Sequence, residues 1–233
     1  MLKAEIKKIS IIRDEIEKTL LSNIAFTLLP NHIYTILGKN GSGKSTLIKS
    51  LTILNDKKVF RVEGKIFWDN IDLLTASDEE LISIRKNQIR YVFQDCVNSF
   101  DPLKRIGYYF DTMLNNKNEL NDLLEYFNLP EEKLLGKLYP YELSGGMAQR
   151  ISVVLAAIAK PKLLILDEPT SAADTAIINL LIHFLHDYVS KHNSTALIVT
   201  QDLLFAQKVS DMIAEIKDNS LTEFESNIID GNK

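Results

Sequence analysis

A chain of 233 residues has room for one large domain, or for one domain that carries an inserted lobe. Its 45% apolar content is that of an ordinary globular protein, and a net charge of −4 provides no electrostatic footprint for a nucleic-acid partner. The single cysteine, Cys96, excludes an internal disulfide and a cysteine-built metal site, which suits a reducing compartment. No base stands beside Cys96 in sequence, so it reads as a plain residue. No stretch reads as a secretory signal or a membrane span. The most apolar long window, residues 20–37, is broken by Asn23, Thr27, Pro30, Asn31 and His32.

In chain order, residues 5–12 and 20–29 have β-like patterns, with Asp14, Glu15 and Glu17 as a polar turn between them. Pro30 and Asn31 make a break, and His32 falls in that turn. Residues 33–37 form an apolar strand that runs into Gly38-Lys39-Asn40-Gly41-Ser42-Gly43-Lys44-Ser45, followed by a helix-like stretch from Thr46 to Leu51. This is strand, G-x-x-x-x-G-K-[ST] and helix in the order a phosphate-binding loop requires. Gly41 and Gly43 permit the tight turn, and the helix N-terminus adds partial positive charge. Lys44 is placed for terminal phosphates and the Ser45 hydroxyl for Mg²⁺. The competing reading is a chance glycine-rich turn.

Residues 59–68 read as strand, with Gly64 as a turn or bulge. Ser77 and Glu80 form a helix-opening capping box, and residues 90–93 make a short strand ending at Gln94. From residue 98 to about 141 the character changes to a small helical lobe, with a polar helix over 114–127 before Pro130. Residues 143–159 continue as a long helix. Residues 163–166 are a fully apolar strand, as in a buried parallel sheet. An amphipathic helix over 174–192, a buried strand over 195–200, a helix over 202–209 and a strand over 212–216 follow. The tail from Asn219 reads as short and without a further domain. Strands and helices alternating around a phosphate loop predict a doubly wound α/β sheet, without internal repeats.

Two further constellations carry chemistry. The apolar strand ends in Asp167 and Glu168, and paired acids there are placed for Mg²⁺ and for polarising a water. A solvated acidic strand end is the competing reading. Leu143-Ser144-Gly145-Gly146-Met147 opens a helix with a second anion-ready N-terminus. One nucleotide does not need two such sites in one chain. Two subunits facing head to tail would use both.

Together these residues resemble the ATP-binding subunit of an ABC transporter, over essentially the whole chain. The resemblance implies a single domain over 1–233: a P-loop NTPase core (1–97 and 160–233) with an antiparallel β subdomain and an inserted helical subdomain (about 98–159). ATP and Mg²⁺ are the implied ligands. Gly38, Lys39, Asn40, Gly41, Ser42, Gly43, Lys44, Ser45 and Thr46 would hold the nucleotide, and Ser45, Gln94 and Asp167 the metal. Glu168, Gln94 and Gln201 would serve hydrolysis, while Ser144, Gly145, Gly146 and Asp174 would serve the site shared with a second ATPase. The implied setting is the cytoplasmic face of the cell membrane, with two transmembrane permease subunits, a second ABC ATPase and an extracytoplasmic solute-binding protein. No nucleic acid is implied.

A narrower resemblance, to the dipeptide, oligopeptide and nickel importer branch, rests on Phe93-Gln94-Asp95, Asn98-Ser99-Phe100-Asp101-Pro102-Leu103 and the run from Tyr139 to Arg150. Branch members often carry a cysteine-containing extension after the core, which does not follow here. Two positions depart from the family. Gln201 stands where a switch histidine is usual, and an amide hydrogen-bonds but cannot carry a proton. His183, His186 and His192 lie on one helix and read as surface residues. Near the first strand the adenine-stacking aromatic is replaced by Arg13, whose guanidinium plane could stack instead. These departures predict a slow site of its own in a heterodimer. Soluble ABC proteins of translation or DNA repair, and a purely ATP-clamping subunit, are the competing classes.

Overall fold

The computed structural model describes residues 1–113, 117–171 and 173–227. The chain begins with two long antiparallel strands, β1 (Leu2–Arg13) and β2 (Ile16–Thr27). They turn at Asp14 and Glu15 alone, both at positive φ (49° and 63°), as a two-residue hairpin with right-handed twist demands. The expected wider turn is therefore corrected. Glu17 lies inside β2, opposite Ile12, because its carboxylate is held by Lys8 at 2.8 Å and by the Ser10 hydroxyl at 2.6 Å. β3 (His32–Leu37) follows, with His32 as its first residue rather than in the turn. Next come α1 (Lys44–Leu51), β4 (Phe60–Trp68) and β5 (Ile71–Asp72).

β4 pairs with β1 across a register shift between Ile6 and Lys8. Gly64 sits opposite Ile6 at φ +138°, and a Cβ there would lie 2.3 Å from the Glu5 carbonyl oxygen. The bulge anticipated at Gly64 thus has its extra residue, Lys7, on the partner strand. α2 (Asp78–Asn87) starts at the Ser77–Glu80 capping box, and β6 (Ile89–Val92) follows it. The lobe consists of α3 (Ile106–Met113), α4 (Lys117–Tyr126) and α5 (Glu132–Leu135), which lean on α6 (Gly145–Ile158). Residue 114, the expected start of the lobe's polar helix, lies outside the described residues. β7 (Leu163–Asp167), α7 (Thr175–His192), β8 (Thr195–Thr200), α8 (Leu203–Val209) and β9 (Met212–Lys217) complete the alternation. The tail adds β10 (Ser220–Leu221) and β11 (Glu225–Ser226), which its composition did not reveal.

The strands join in the order β5-β4-β1-β2-β10-β9-β3-β8-β7-β6, with β11 on β9. β9, β3, β8, β7 and β6 are parallel; β5, β4, β1 and β2 are antiparallel. β10 connects the two parts, antiparallel to β9 and parallel to β2. The parallel strands are buried on both faces. Leu164, Leu166, Ala196 and Ile198 point to the side of α6 and α7, while Leu163, Ile165, Leu197 and Val199 join α1 and the antiparallel strands. On α7, His183 and His186 are exposed, but His192 is half-buried, its ring 4.7 Å from that of Tyr188. The surface position expected for His192 is only partly met, since Tyr188 lies one turn earlier on the same face of the helix and partly covers its ring.

Inside the lobe, α3 and α5 meet glycine on glycine. A Cβ on Gly107 would lie 2.8 Å from the Gly136 carbonyl oxygen. Gly107→Ala is therefore expected to cost about 1–3 kcal/mol through overpacking. A thermal melt of the variant should show a clear fall in Tm; an unchanged Tm would mean that the two helices separate freely.

Candidate functional site

The loop between β3 and α1 is shaped by three glycines. Gly41 and Gly43 have φ of +77° and +97°, and Gly43 is the N-cap of α1 without a side-chain cap bond. The first N–H groups of α1 are thus left to an outside acceptor. Gly38 is glycine for space, because a Cβ there would be 2.5 Å from the Ser42 hydroxyl. That hydroxyl is buried and finds no protein partner. A phosphate oxygen would satisfy it, so the loop fits the polyphosphate that its sequence implies.

Lys44, 5% exposed, is the hub of the site. Its ammonium donates to the carbonyl oxygens of Gly38 at 2.7 Å and Lys39 at 3.2 Å. It also pairs with Glu168 Oε1 at 3.0 Å. Glu168 follows β7 at φ 48°, a conformation uncommon for this residue type. Its other oxygen accepts from the Thr200 hydroxyl at 3.0 Å and the Gln201 N–H at 3.3 Å. Asp167, the last residue of β7, accepts from the Ser45 hydroxyl at 3.0 Å and the Tyr91 hydroxyl at 2.9 Å. Burial pushes the Asp167 carboxyl above its usual range against these two bonds. Burial and the neighbouring carboxylate push the Tyr91 phenol up as well. Ser45 and Asp167 present hard oxygen donors side by side, the donor type Mg²⁺ takes. Among the described residues, no group of three or more His, Cys, Asp or Glu could hold a metal, so a cation here must draw further ligands from phosphate and water.

A cleft of about 380 Å³ opens over this machinery, lined by residues 40–46, Gln94 and Glu168. Its far wall is Lys18, Thr19 and Leu20 of β2 with Asn219 of the β9–β10 turn. Arg13 is not part of that lining; it is exposed at the hairpin end, paired with Ile16. The tight hairpin carries β2 back so that residues 18–20, rather than residue 13, pass the loop. Nothing in their local pattern announces this. Gly38 and Lys39 lie beneath Lys44 and contribute carbonyls.

The other expected residues sit outside the cleft. Ser144 caps α6, its hydroxyl accepting from Met147 N–H at 3.2 Å, with Gly145 and Gly146 in the first turn. Asp174 caps α7 through Ile177 N–H at 2.9 Å; Ala172, before it in the expected motif, lies outside the described residues. Gln201 contributes its backbone N–H to Glu168 while the residue is exposed. Three residues escaped the sequence reading. Tyr91 and Thr200 fix the two carboxylates, and buried Gln149 of α6 donates to the Pro169 carbonyl, directly after Glu168. Their roles depend on neighbours 76, 32 and 20 residues away.

Two expectations follow. Lys44→Ala leaves the Glu168 carboxylate buried without its cation and should destabilise the protein by about 3–5 kcal/mol, with Glu168→Gln restoring part of the loss in the double variant. Urea unfolding of the four proteins gives the coupling, and additive losses would show that the pair is not coupled. For Asp167 the raised carboxyl means that the folded chain binds the proton more tightly than the unfolded one. The cost of ionising it is absent below the ordinary carboxylate range and grows as pH rises through the raised value. Asp167→Asn should therefore gain stability relative to the parent over that window in metal-free buffer, then level off. A gain that shrinks with rising pH contradicts this sign.

The family described as "ABC transporter" matches residues 21–171. The chain is 33% identical over 228 residues to the metal-staphylopine import system ATP-binding protein CntD of Staphylococcus aureus (strain NCTC 8325 / PS 47), covering 94% of this chain and 83% of that protein. It is 33% identical over 208 residues to the dipeptide transport ATP-binding protein DppD of Lactococcus lactis subsp. cremoris (strain MG1363), covering 83% of this chain but 60% of that protein. The same 60% share holds for the oligopeptide transport ATP-binding protein OppD of Escherichia coli (strain K12), at 30% identity over 204 residues and 84% of this chain. In fold, the dimeric ATP-binding cassette MJ0796 bound to ADP and Pi superposes with a TM-score of 0.81 at 24% identity, over 98% of this chain and 99% of that one. The match over most of the sequence, joined to the same fold and to a phosphate loop facing two acids, means that the chain belongs to the ABC transporter family and is one of its ATPases.

Proposed function

We propose that this chain powers an importer of peptides or metal chelates, nickel complexes among them, by binding and hydrolysing MgATP at the cytoplasmic face of the membrane. The observation that carries the reading is the convergence of the phosphate loop on both acids: Ser45 on Asp167 and Lys44 on Glu168, each at 3.0 Å. The names of the relatives, metal-staphylopine import and dipeptide transport, support the cargo class. Among the described residues no helix is long and apolar enough to cross a membrane. Two permease subunits would provide the path for cargo. An extracytoplasmic solute-binding protein would deliver the cargo. The domain division is read as a core over 1–97 and 160–233 with the helical subdomain at about 98–159.

The chemistry follows from the side chains. The α1 N-terminus, the Ser42 hydroxyl and Lys44 bind the phosphates, with Asn40, Thr46 and the loop glycines shaping the cradle. Ser45, Asp167 and Gln94 would hold Mg²⁺, which would supply neutralisation of phosphate charge. A γ-phosphate oxygen competes with Glu168 for the Lys44 ammonium. Released from that pair, Glu168 can accept the proton of an attacking water while Thr200 and the Gln201 N–H keep it aimed. Ser144, Gly145 and Gly146 at the head of α6, with Asp174, would complete the nucleotide site of a second ATPase.

An exposed Gln201 side chain favours a second, narrower reading: a heterodimer in which this chain's own site turns over slowly or only clamps ATP. The amide cannot take or carry the proton that a histidine would. In a complex purified with its permeases, Glu168→Gln should lower the turnover of this site by at least about a hundredfold, the scale of a lost general base. Gln201→His should raise it several-fold. Loss of all activity in the first variant, with no change in the second, would sink the slow-site idea and leave the ATPase reading intact. Full activity in Glu168→Gln would sink the role given to Glu168.

A further inference from the structure

The two carboxylate oxygens of Asp167 have different neighbours. Oδ1 accepts from the Ser45 hydroxyl at 3.0 Å, on the side of the phosphate loop. Oδ2 accepts from the Tyr91 hydroxyl at 2.9 Å, on the side of β6. Asp167 is only 3% exposed, so neither bond is readily exchanged for one to bulk water. Sheet register sets the Tyr91 bond. Tyr91 pairs with Ile165, two residues before Asp167, so both side chains stand on the same face of neighbouring parallel strands. The Tyr91 ring also packs against that of Phe93, with 4.4 Å between centroids.

Ser45 and Oδ1 are the donors on the loop side, so a cation there meets Asp167 through one oxygen while Oδ2 stays with Tyr91. Reaching both oxygens would break the Tyr91 bond and leave a partly buried phenol hydroxyl without its acceptor. Divalent cations differ in what this costs them. Mg²⁺ is small, keeps several waters and takes a carboxylate through one oxygen in a strict octahedron. Ca²⁺ is larger, takes more ligands and often uses both oxygens of one carboxylate. We infer that Tyr91 is a specificity-determining residue for the metal: by holding Oδ2 it restricts Asp167 to one oxygen and favours Mg²⁺ over Ca²⁺ at the nucleotide site. It is a positioning residue, since it reaches the cation only through Asp167. The inference rests on the MgATP reading above.

The test compares the parent with Tyr91→Phe, which keeps the ring and removes only the donor. Equilibrium binding of a fluorescent, non-hydrolysable ATP analogue to the full chain is measured in EDTA, in Mg²⁺ and in Ca²⁺, each metal saturating the analogue. The parent is expected to bind the Mg²⁺ complex more tightly than the Ca²⁺ complex. Tyr91→Phe should lower that ratio by about tenfold, the scale of a lost partner behind a metal ligand. Affinity in EDTA, which reports an intact phosphate loop, should stay as in the parent. An unchanged ratio, equal weakening with both metals included, overturns the inference and leaves the ATPase reading standing. So does a parent without preference for Mg²⁺. A loss in EDTA as large as that in Mg²⁺ overturns it as well, because the role of Tyr91 is then structural. A parent that binds the analogue under none of the three conditions would overturn the ATPase reading and this inference with it.

Discussion

A single buried ion pair, Lys44 with Glu168, ties together the two parts of the chain that do chemistry. Two charges more than nine-tenths buried survive only when each is answered, and here they answer each other at 3.0 Å. The pair fixes the relation of the α1 N-terminus to the end of β7. Around it two loop carbonyls hold the ammonium, and Thr200 with the Gln201 N–H holds the carboxylate. Under the proposed function a phosphate group would compete for one partner, so that substrate binding and release of the Glu168 carboxylate would be one exchange.

The sheet explains why these residues meet. β3 and β7 flank β8 in parallel register, so the loop after Leu37 and the acids after Leu166 emerge at the same edge. Ligands of open parallel sheets bind beyond the carboxyl ends of the strands, and the cleft lies there. What departs from a simple doubly wound sheet is the antiparallel part. β10 joins it to the core through one parallel pairing, Ser220 with Ser22, and that brings β2 alongside the phosphate loop, where Leu21 packs 3.2 Å from the Cβ position of Gly43. The far wall of the cleft is a product of that junction.

The second anion-ready helix start, at Ser144 on α6, is turned away from the cleft but not disconnected from it. Gln149 donates to the carbonyl of Pro169, next to Glu168. Five of the expected site residues, Ser144, Gly145, Gly146, Asp174 and Gln201, thus lie outside the cleft lining.

Contiguous residues encode the local chemistry of this chain. Glycines at φ of +77° and +97°, the lysine and serine that follow, the acids at the end of an apolar strand and the Ser77–Glu80 cap are local chemistry, legible from spacing. Strand and helix order was legible for the same reason, since periodicity of burial is local. Tertiary structure decided the rest. Whether Arg13 or Lys18 lines the cleft depends on the length of a turn and the register of β2. Glu17 looked like a turn residue until Lys8 and Ser10 across the strand pair claimed it. Tyr91, Thr200 and Gln149 are unremarkable in sequence and become functional only through partners far along the chain. Such contacts arise from sheet pairing and helix packing, which bring together residues that no local pattern links.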